Sequence, residues 1–164
     1  MSKREKVQKT NAMRELDRAG ISYEVREFEE TDVSRGVGMR IAEQLGEDPD
    51  SSLKTLVCVA PSGDHVVCCI PVACEVDLKK AAAAAGEKSL SLMPIKDLEA
   101  VTGYVRGGCT PIGMKKPFPT YCDETCVLFD TIIFSGGRIG TQIEMSFDDL
   151  CQLMDVEPVD LVVD

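Results

Sequence analysis

The sequence contains a single histidine, His65, and no tryptophan among its 164 residues. A Ser–His or Cys–His catalytic pair would have to use that one imidazole. His65 follows a turn signal at 61–64 and begins a predicted strand, so we expect a solvated hairpin residue. The GxSxG turn that presents a nucleophilic serine is also missing. The sequence therefore gives little support to an enzyme with a side-chain nucleophile.

The eight cysteines lack the CxxC spacing of a structural zinc site. Cys122 and Cys126 are four residues apart, and Cys68 and Cys69 are adjacent in a predicted strand, where they point to opposite faces. We expect small buried thiols, no metal and no cofactor. A thiol or metal protein that uses Cys122 and Cys126 remains an alternative.

Basic residues are scarce, with 18 Lys and Arg against 28 Asp and Glu and a net charge of −10. Such a surface argues against the broad phosphate-binding footprint of a DNA-binding protein. No apolar run approaches the ~20 residues of a membrane helix, and residues 1–10 have no signal-peptide core. The cysteines then indicate a reducing compartment. We expect a cytoplasmic protein with no DNA or membrane partner.

Hydrophobic periodicity and turn residues predict a single α+β domain over residues 1–164, with mostly antiparallel strand pairs. The predicted strands are 21–26, 53–60, 65–71, 131–135 and 141–145. The predicted helices are 4–19, about 39–45, 78–85 after Asp77, 94–102 before Gly103, and the segment after Ser146.

Two glycine-rich segments carry no acidic residue. Residues 100–122 contain three basic residues, and residues 131–143 contain one, Arg138. Glycine allows a ligand to approach the backbone, and successive N–H groups form anion-binding nests. The pattern indicates either a pocket for a phosphate or carboxylate, or tight turns between strands.

Three lysines have two interpretations each. Lys54 stands at the start of an apolar strand, where it either extends to solvent or presents a fixed positive charge to a phosphate. Lys115 and Lys116 form either a plain solvated pair or a contact with the phosphates of a ligand.

Several short motifs then occur together and in order. They are Lys54-Thr55-Leu56, Pro71-Val72 before Asp77-Leu78-Lys79-Lys80, Thr102-Gly103-Tyr104, Gly107-Gly108-x-x-Pro111-Ile112-Gly113 and Ser135-Gly136-Gly137. With these motifs the chain, from about Lys9 to Val159, resembles the YbaK/EbsC family of free-standing aminoacyl-tRNA deacylases. These proteins are relatives of the editing domain inserted in bacterial prolyl-tRNA synthetases.

The resemblance implies a fold, an activity and partners. The fold is a mixed α/β domain around a strongly curved, barrel-like sheet with flanking helices. The activity is trans-editing, in which a mischarged amino acid, foremost cysteine, is released from the acceptor end of tRNA(Pro). Prolyl-tRNA synthetase is the candidate protein partner. In the cysteine-specific branch the substrate's own thiol attacks its ester carbonyl, so no protein nucleophile is needed.

The resemblance also assigns site residues. Lys54 anchors the phosphate near the terminal adenosine, Gly107 positions the ester carbonyl through its backbone, and Ser135 supplies the serine of the SGG loop; these three are the expected catalytic residues. The expected substrate-binding residues are Thr55, Phe28, Val37, Gly108, Pro111, Gly136, Gly137 and Gln142.

Four positions depart from the family pattern. Pocket aromatics fall on Phe28, which lacks a tyrosine hydroxyl, and on Val37, which is not aromatic. An aspartate of the cysteine-specific enzymes falls on Gln142, and an arginine falls on Ile139 with Arg138 beside it. These changes leave three hypotheses open: removal of cysteine, removal of alanine by water, or an inactive module that binds the aminoacyl-tRNA end.

Overall fold

The computed structural model describes residues 8–29 and 36–164 of the chain. Over these residues the chain forms five α-helices: α1 (Asn11–Ala19), α2 (Val37–Leu45), α3 (Leu78–Ala85), α4 (Ile95–Thr102) and α5 (Phe147–Leu153). The strands are β1 (Glu24–Glu27), β2 (Leu53–Val59), β3 (His65–Pro71), β4 (Ser91–Leu92), β5 (Thr120–Asp123), β6 (Ile132–Ser135), β7 (Thr141–Met145) and β8 (Glu157–Val159). A 3-10 helix, Glu124–Leu128, follows β5.

The first helix is shorter than its sequence predicts. It begins at Asn11, because the Thr10 side chain accepts a hydrogen bond from the Met13 amide and so caps the helix at that point. Residues 4–7 of the predicted helix lie outside the described residues, and Lys9 precedes the helix. The other four helices were predicted to within about two residues at each end, which is the usual margin for helix boundaries.

The strands form two sheets. One has the order β1-β7-β6 and is antiparallel throughout; the other has the order β4-β2-β3-β5-β8 and contains two parallel pairs, β3 with β5 and β5 with β8. A parallel bridge between Ser52 and Ile133 connects them. The expected α+β class is confirmed. In the described residues the sheets do not close into a barrel, because one isolated bridge, with no continuous ladder, joins them.

The hairpin of β2 and β3 is buried on both faces. Val67 and Cys69 pack into one apolar cluster with α1, β6, β7 and α5, while Cys68 and Ile70 pack into a second with α3 and Leu161. Alternate strand residues point to opposite faces, so a continuous apolar run is what a doubly covered strand requires. The expected opposite orientation of Cys68 and Cys69 is confirmed.

No helix within residues 8–29 and 36–164 combines the length and the apolar character needed to cross a membrane.

Candidate functional site

A cavity of about 660 Å³ is lined by both sheets, by the start of α2 and by the glycine-rich loop after α4. Its volume lies within the range of about 300–1,000 Å³ that small-ligand sites occupy. β2 contributes consecutive residues from Leu53 to Leu56, and β6 and β7 contribute the residues that flank their connecting loop. Segments distant in sequence therefore meet at one concave surface.

Most of the site residues predicted from the sequence line this cavity. They are Phe28, Val37, Lys54, Thr55, Gly107, Ser135 and Gln142. Gly107 has φ +87°, a left-handed conformation that glycine adopts without steric cost, so the loop turns at the cavity wall.

Four predicted residues lie outside the cavity lining, and three of these are glycines that pack loops together. A Cβ on Gly108 would stand 2.9 Å from the Arg138 Cα, and one on Gly136 would stand 2.9 Å from the Thr141 Cγ2. Gly137, at φ +105°, packs against Thr10. These three glycines thus shape the loops, as tight turns would. Pro111 lines a separate groove.

Ser135 and Gln142 are opposite each other across the β6–β7 pair, and Gln142 is in turn opposite Arg26 across the β7–β1 pair. Opposite residues of neighbouring strands place their side chains on the same face. Arg26, Gln142 and Ser135 therefore form one row across the sheet. The Ser135 hydroxyl accepts a hydrogen bond from the Gly137 amide at 3.3 Å, which leaves its own proton available to a ligand.

The sequence analysis missed Glu47, whose carboxylate lies against this row. Its side chain is 0% exposed, and one carboxylate oxygen accepts a hydrogen bond from Arg26 at 3.0 Å. The other oxygen accepts from the Gln142 amide nitrogen at 3.3 Å. No motif or spacing in the sequence predicts a role for Glu47, because the residue that it contacts, Gln142, is 95 positions away in the chain.

One thiol, that of Cys109, lines the cavity. Burial, followed by the neighbouring Cys69, raises the pKa of Cys109 to about 12, so the thiol is neutral near pH 7. The thiolate is the nucleophilic form of cysteine. Cys109 therefore forms part of the wall and is a poor nucleophile.

The remaining thiols of this region lie in the core. Cys69 and Cys122 are opposite each other in the β3–β5 pair, and both are buried with Cys126. Hydrogen bonds to Cys126 and Cys69, together with burial, raise the pKa of Cys122. Over residues 8–29 and 36–164, no group of three or more His, Cys, Asp or Glu side chains is placed to hold a metal ion.

Among residues 8–29 and 36–164, the cavity lining contains two basic residues, the half-buried Lys54 and the exposed Arg106, and one acidic residue, Glu75. The lysine pair lies elsewhere: Lys115 donates to the Ala100 carbonyl at 3.1 Å, and the Lys116 ammonium stands 5.4 Å from the Phe118 ring centre. Both lysines thus have intramolecular contacts outside the cavity.

The comparisons with known proteins agree with one another. Residues 39–153 match the family model described as the aminoacyl-tRNA editing domain. EbsC of Enterococcus faecalis, provisionally named a Cys-tRNA(Pro)/Cys-tRNA(Cys) deacylase, is 43% identical over 153 residues, which cover 93% of each chain.

Solved structures share the fold at lower identity. The hypothetical protein APE2540 superposes with a TM-score of 0.84 at 18% identity, over 93% of this chain and 99% of its own. A protein provisionally described as a trans-editing enzyme for prolyl-tRNA synthetase superposes with a TM-score of 0.81 at 22% identity, over 94% and 96% of the two chains. The fold is that of these solved structures. The chain belongs to the aminoacyl-tRNA editing domain family, whose members act on aminoacyl-tRNA.

Proposed function

We propose that this chain is a trans-editing aminoacyl-tRNA deacylase that removes cysteine from mischarged tRNA(Pro) in the cytoplasm. The observation that carries the proposal is the meeting of Lys54, Gly107 and Ser135, from three separate segments, at one cavity of a family member. The relative EbsC is provisionally named for the same activity. A synthetase pocket sized for proline discriminates poorly against a side chain of similar size, because one methylene is worth only about 1–3 kcal/mol.

The roles of the site residues follow from their chemistry. Lys54 presents a positive charge at the cavity wall, where it binds the phosphate next to the terminal adenosine. The turn at Gly107 brings backbone close to the scissile ester, and backbone dipoles stabilise charge that develops on a carbonyl oxygen. Ser135 offers a hydroxyl proton from the opposite sheet.

The reaction uses the nucleophile that the substrate carries. The cysteine sulfur attacks its own ester carbonyl carbon, a C–S bond forms, the C–O bond to the ribose breaks, and the thiol proton passes to the ribose oxygen. The protein's part is to hold the sulfur near the carbonyl, and such orientation can lower a barrier by about 7–11 kcal/mol in the best cases. A neutral Cys109 in the wall does not compete with the substrate thiol.

The acceptor end is the part of the tRNA that this domain contacts. With a net charge of −10, the surface as a whole repels a polyanion, and in the described part of the chain Lys54 and Arg106 are the basic residues at the cavity. Prolyl-tRNA synthetase, which already holds tRNA(Pro), is the partner that would deliver the substrate.

Deacylation of preformed Cys-tRNA(Pro), Ala-tRNA(Pro) and Pro-tRNA(Pro) tests the proposal. We expect the protein to remove cysteine and to leave proline. Lys54→Ala should lower kcat/KM at least about tenfold, because a charged hydrogen bond contributes about 1.5–3 kcal/mol. Lys115→Ala, which removes a lysine outside the cavity, is the matched control and should act like the unmodified protein.

The other outcomes overturn the proposal in distinct ways. Removal of alanine alone would assign water as the nucleophile and place the protein in a different branch. Binding of an aminoacyl-adenosine analogue without any turnover would identify an inactive module. Full activity of Lys54→Ala would remove the role given to that lysine.

A further inference from the structure

The Glu47 carboxylate is held by neighbours that neutralise part of its charge. Arg26 donates to it at 3.0 Å and to Glu144 at 2.5 Å, and Glu144 also accepts from Thr131. A buried carboxylate is costly unless it is paired and hydrogen-bonded. The hydroxyl oxygen of Ser52, which lines the cavity, lies 3.4 Å from the Glu47 carboxylate and 3.0 Å from the Asp48 carbonyl oxygen. The carboxylate thus lies directly behind the cavity wall.

The Glu47 carboxylate determines whether the nitrogen or the oxygen of the Gln142 amide faces it. An ionised carboxylate only accepts hydrogen bonds, so it pairs with the amide nitrogen and excludes the amide oxygen. The Gln142 nitrogen donates to Glu47 at 3.3 Å, and the planar amide then fixes its oxygen on the opposite side. Glu47 therefore fixes the direction of the acceptor oxygen of Gln142.

The Gln142 oxygen is the unsatisfied member of this network. It is buried and has no hydrogen-bond partner within the described residues, although Gln142 lines the cavity. A buried acceptor that lacks a donor destabilises the folded protein. Arg26, Glu47 and Glu144 together carry one negative charge, so the local field favours a positively charged donor.

We propose that Glu47 is a positioning residue, held by Arg26, that orients Gln142 so that the amide oxygen binds the α-ammonium group of the aminoacyl ester. The inference rests on the proposed function and adds a residue and a recognised group to it. Gln142 accordingly selects substrates with an α-amino group, while Lys54 holds the phosphate at another part of the wall.

The test compares two substrates that differ only in the group on the α-carbon, which is an amine in one and a hydroxyl in the other. One tRNA carries cysteine, and the other carries the corresponding 2-hydroxy-3-sulfanyl acid, which keeps the thiol and the ester. We expect the protein to prefer the amine about tenfold in kcat/KM, in line with one hydrogen bond to a charged group. Glu47→Gln should reduce this preference to near unity, since a neutral amide no longer fixes the orientation of Gln142.

Two further variants show whether Glu47 acts through Gln142. Gln142→Met keeps the side-chain length but removes the amide, and should abolish the preference on its own. In the double variant Glu47→Gln/Gln142→Met, the first substitution should add nothing to the second, because interacting residues are non-additive. Glu43→Gln is the matched control: it removes an exposed carboxylate of α2, the helix before Glu47, and leaves the charges of Arg26, Glu47 and Glu144 in place, so the preference should persist.

A loss of rate that is equal for both substrates would assign Glu47 a structural role and overturn the inference, as would a preference that survives Glu47→Gln. The melting temperature of each variant is measured to show that it folds. If Glu47→Gln does not fold, Glu47→Asp, which keeps the charge and shortens its reach, should lower the same preference.

A binding measurement separates failure of this inference from failure of the proposed function. Calorimetric binding of a stable adenosine amide of cysteine, and of its α-hydroxy counterpart, measures recognition without turnover. Tighter binding of the amine that depends on Glu47 would support the inference even for an inactive protein. Equal binding of the two compounds by the unmodified protein would overturn it.

Discussion

At the scale of single residues, burial decides what each functional group can do. Cys109 and Lys54 line the same cavity, yet the thiol stays neutral while the lysine can serve as a fixed charge. The folded protein holds the pKa of Cys109 at about 12, compared with an ordinary value of 9.0. The thiol is thereby kept as an uncharged part of the cavity wall, which suits the proposed substrate because that substrate carries its own sulfur.

The raised pKa of Cys109 predicts a loss of stability at alkaline pH. Below about pH 9 the thiol is protonated in both folded and unfolded chains, so its contribution to stability is complete. Between pH 9 and about 12 the unfolded thiol ionises while the folded thiol does not, so the free energy of unfolding falls with rising pH. Urea unfolding from pH 8 to 11 should show a shallower fall for Cys109→Ala than for the unmodified protein.

The control for this measurement is Cys151→Ala, which removes an exposed thiol. The pH dependence of its free energy of unfolding should be closer to that of the unmodified protein than the pH dependence of Cys109→Ala is. Tyr104, whose pKa is raised to about 12 by burial and then by Cys109, titrates in the same pH range, so Cys109→Ala also removes the part of this shift that Cys109 causes. Identical slopes for the unmodified protein and Cys109→Ala would contradict the assignment of a neutral buried thiol.

At the scale of secondary-structure elements, α1 is tied to the loop that follows Ser135. The Thr10 hydroxyl accepts from the Met13 amide and donates to the Gly136 carbonyl at 2.6 Å. One side chain thus both caps a helix and fixes a loop of the candidate site. The Ser146 hydroxyl caps α5 in the same way, by accepting from the Asp149 amide at 3.1 Å, but α5 contributes no residue to the cavity lining.

These two caps predict different effects on activity. Thr10→Val removes a cap and leaves a buried carbonyl unpaired, so we expect a destabilisation of about 2–4 kcal/mol. It should also lower kcat/KM, because the SGG loop loses its anchor. Ser146→Ala should cost about 1 kcal/mol and leave kcat/KM unchanged below its melting temperature. Chemical unfolding and deacylation assays check both; equal activity of the two variants would refute the link between α1 and the site.

Elements with local signals were predictable, and elements that depend on distant partners were not. Asp77 and Ser146 are capping residues, and each predicted the helix that follows it. The turn between β2 and β3 predicted the hairpin. β5 and β8 were missed because they are short, contain or adjoin proline, and pair in parallel with strands far away in sequence. β4 has only two residues and a partner in β2.

The residues of the candidate site also fall into two groups, those that the sequence predicts and those that only the fold brings together. The cavity residues Lys54, Gly107 and Ser135 belong to motifs whose resemblance to a family can be read along the chain. Glu47 belongs to no motif, and its importance follows only from where Arg26 and Gln142 lie in the folded sheet. Residues that act through another side chain are therefore the part of a site that a sequence reveals least.

At the scale of the whole molecule, charge is distributed so that nucleic acid can approach one region. Residues 144–164 carry seven acidic residues and no basic one. The cavity, by contrast, is lined by Lys54 and Arg106. A net charge of −10 repels a polyanion over the surface as a whole, in keeping with the proposed contact with the acceptor end alone.

This distribution predicts a weak dependence of tRNA binding on salt. The logarithm of the affinity falls with the logarithm of salt concentration by about 0.7 per neutralised phosphate of a single strand. With the two basic residues that the described part of the chain places at the cavity, we expect a slope between about −1 and −2 for tRNA(Pro) that carries no amino acid. Arg106→Ala should flatten the slope by somewhat less than one, whereas Lys116→Ala, a lysine outside the cavity, should leave it unchanged. A slope steeper than about −4 would require a broad basic footprint, which this surface does not offer, and would reject contact confined to the acceptor end.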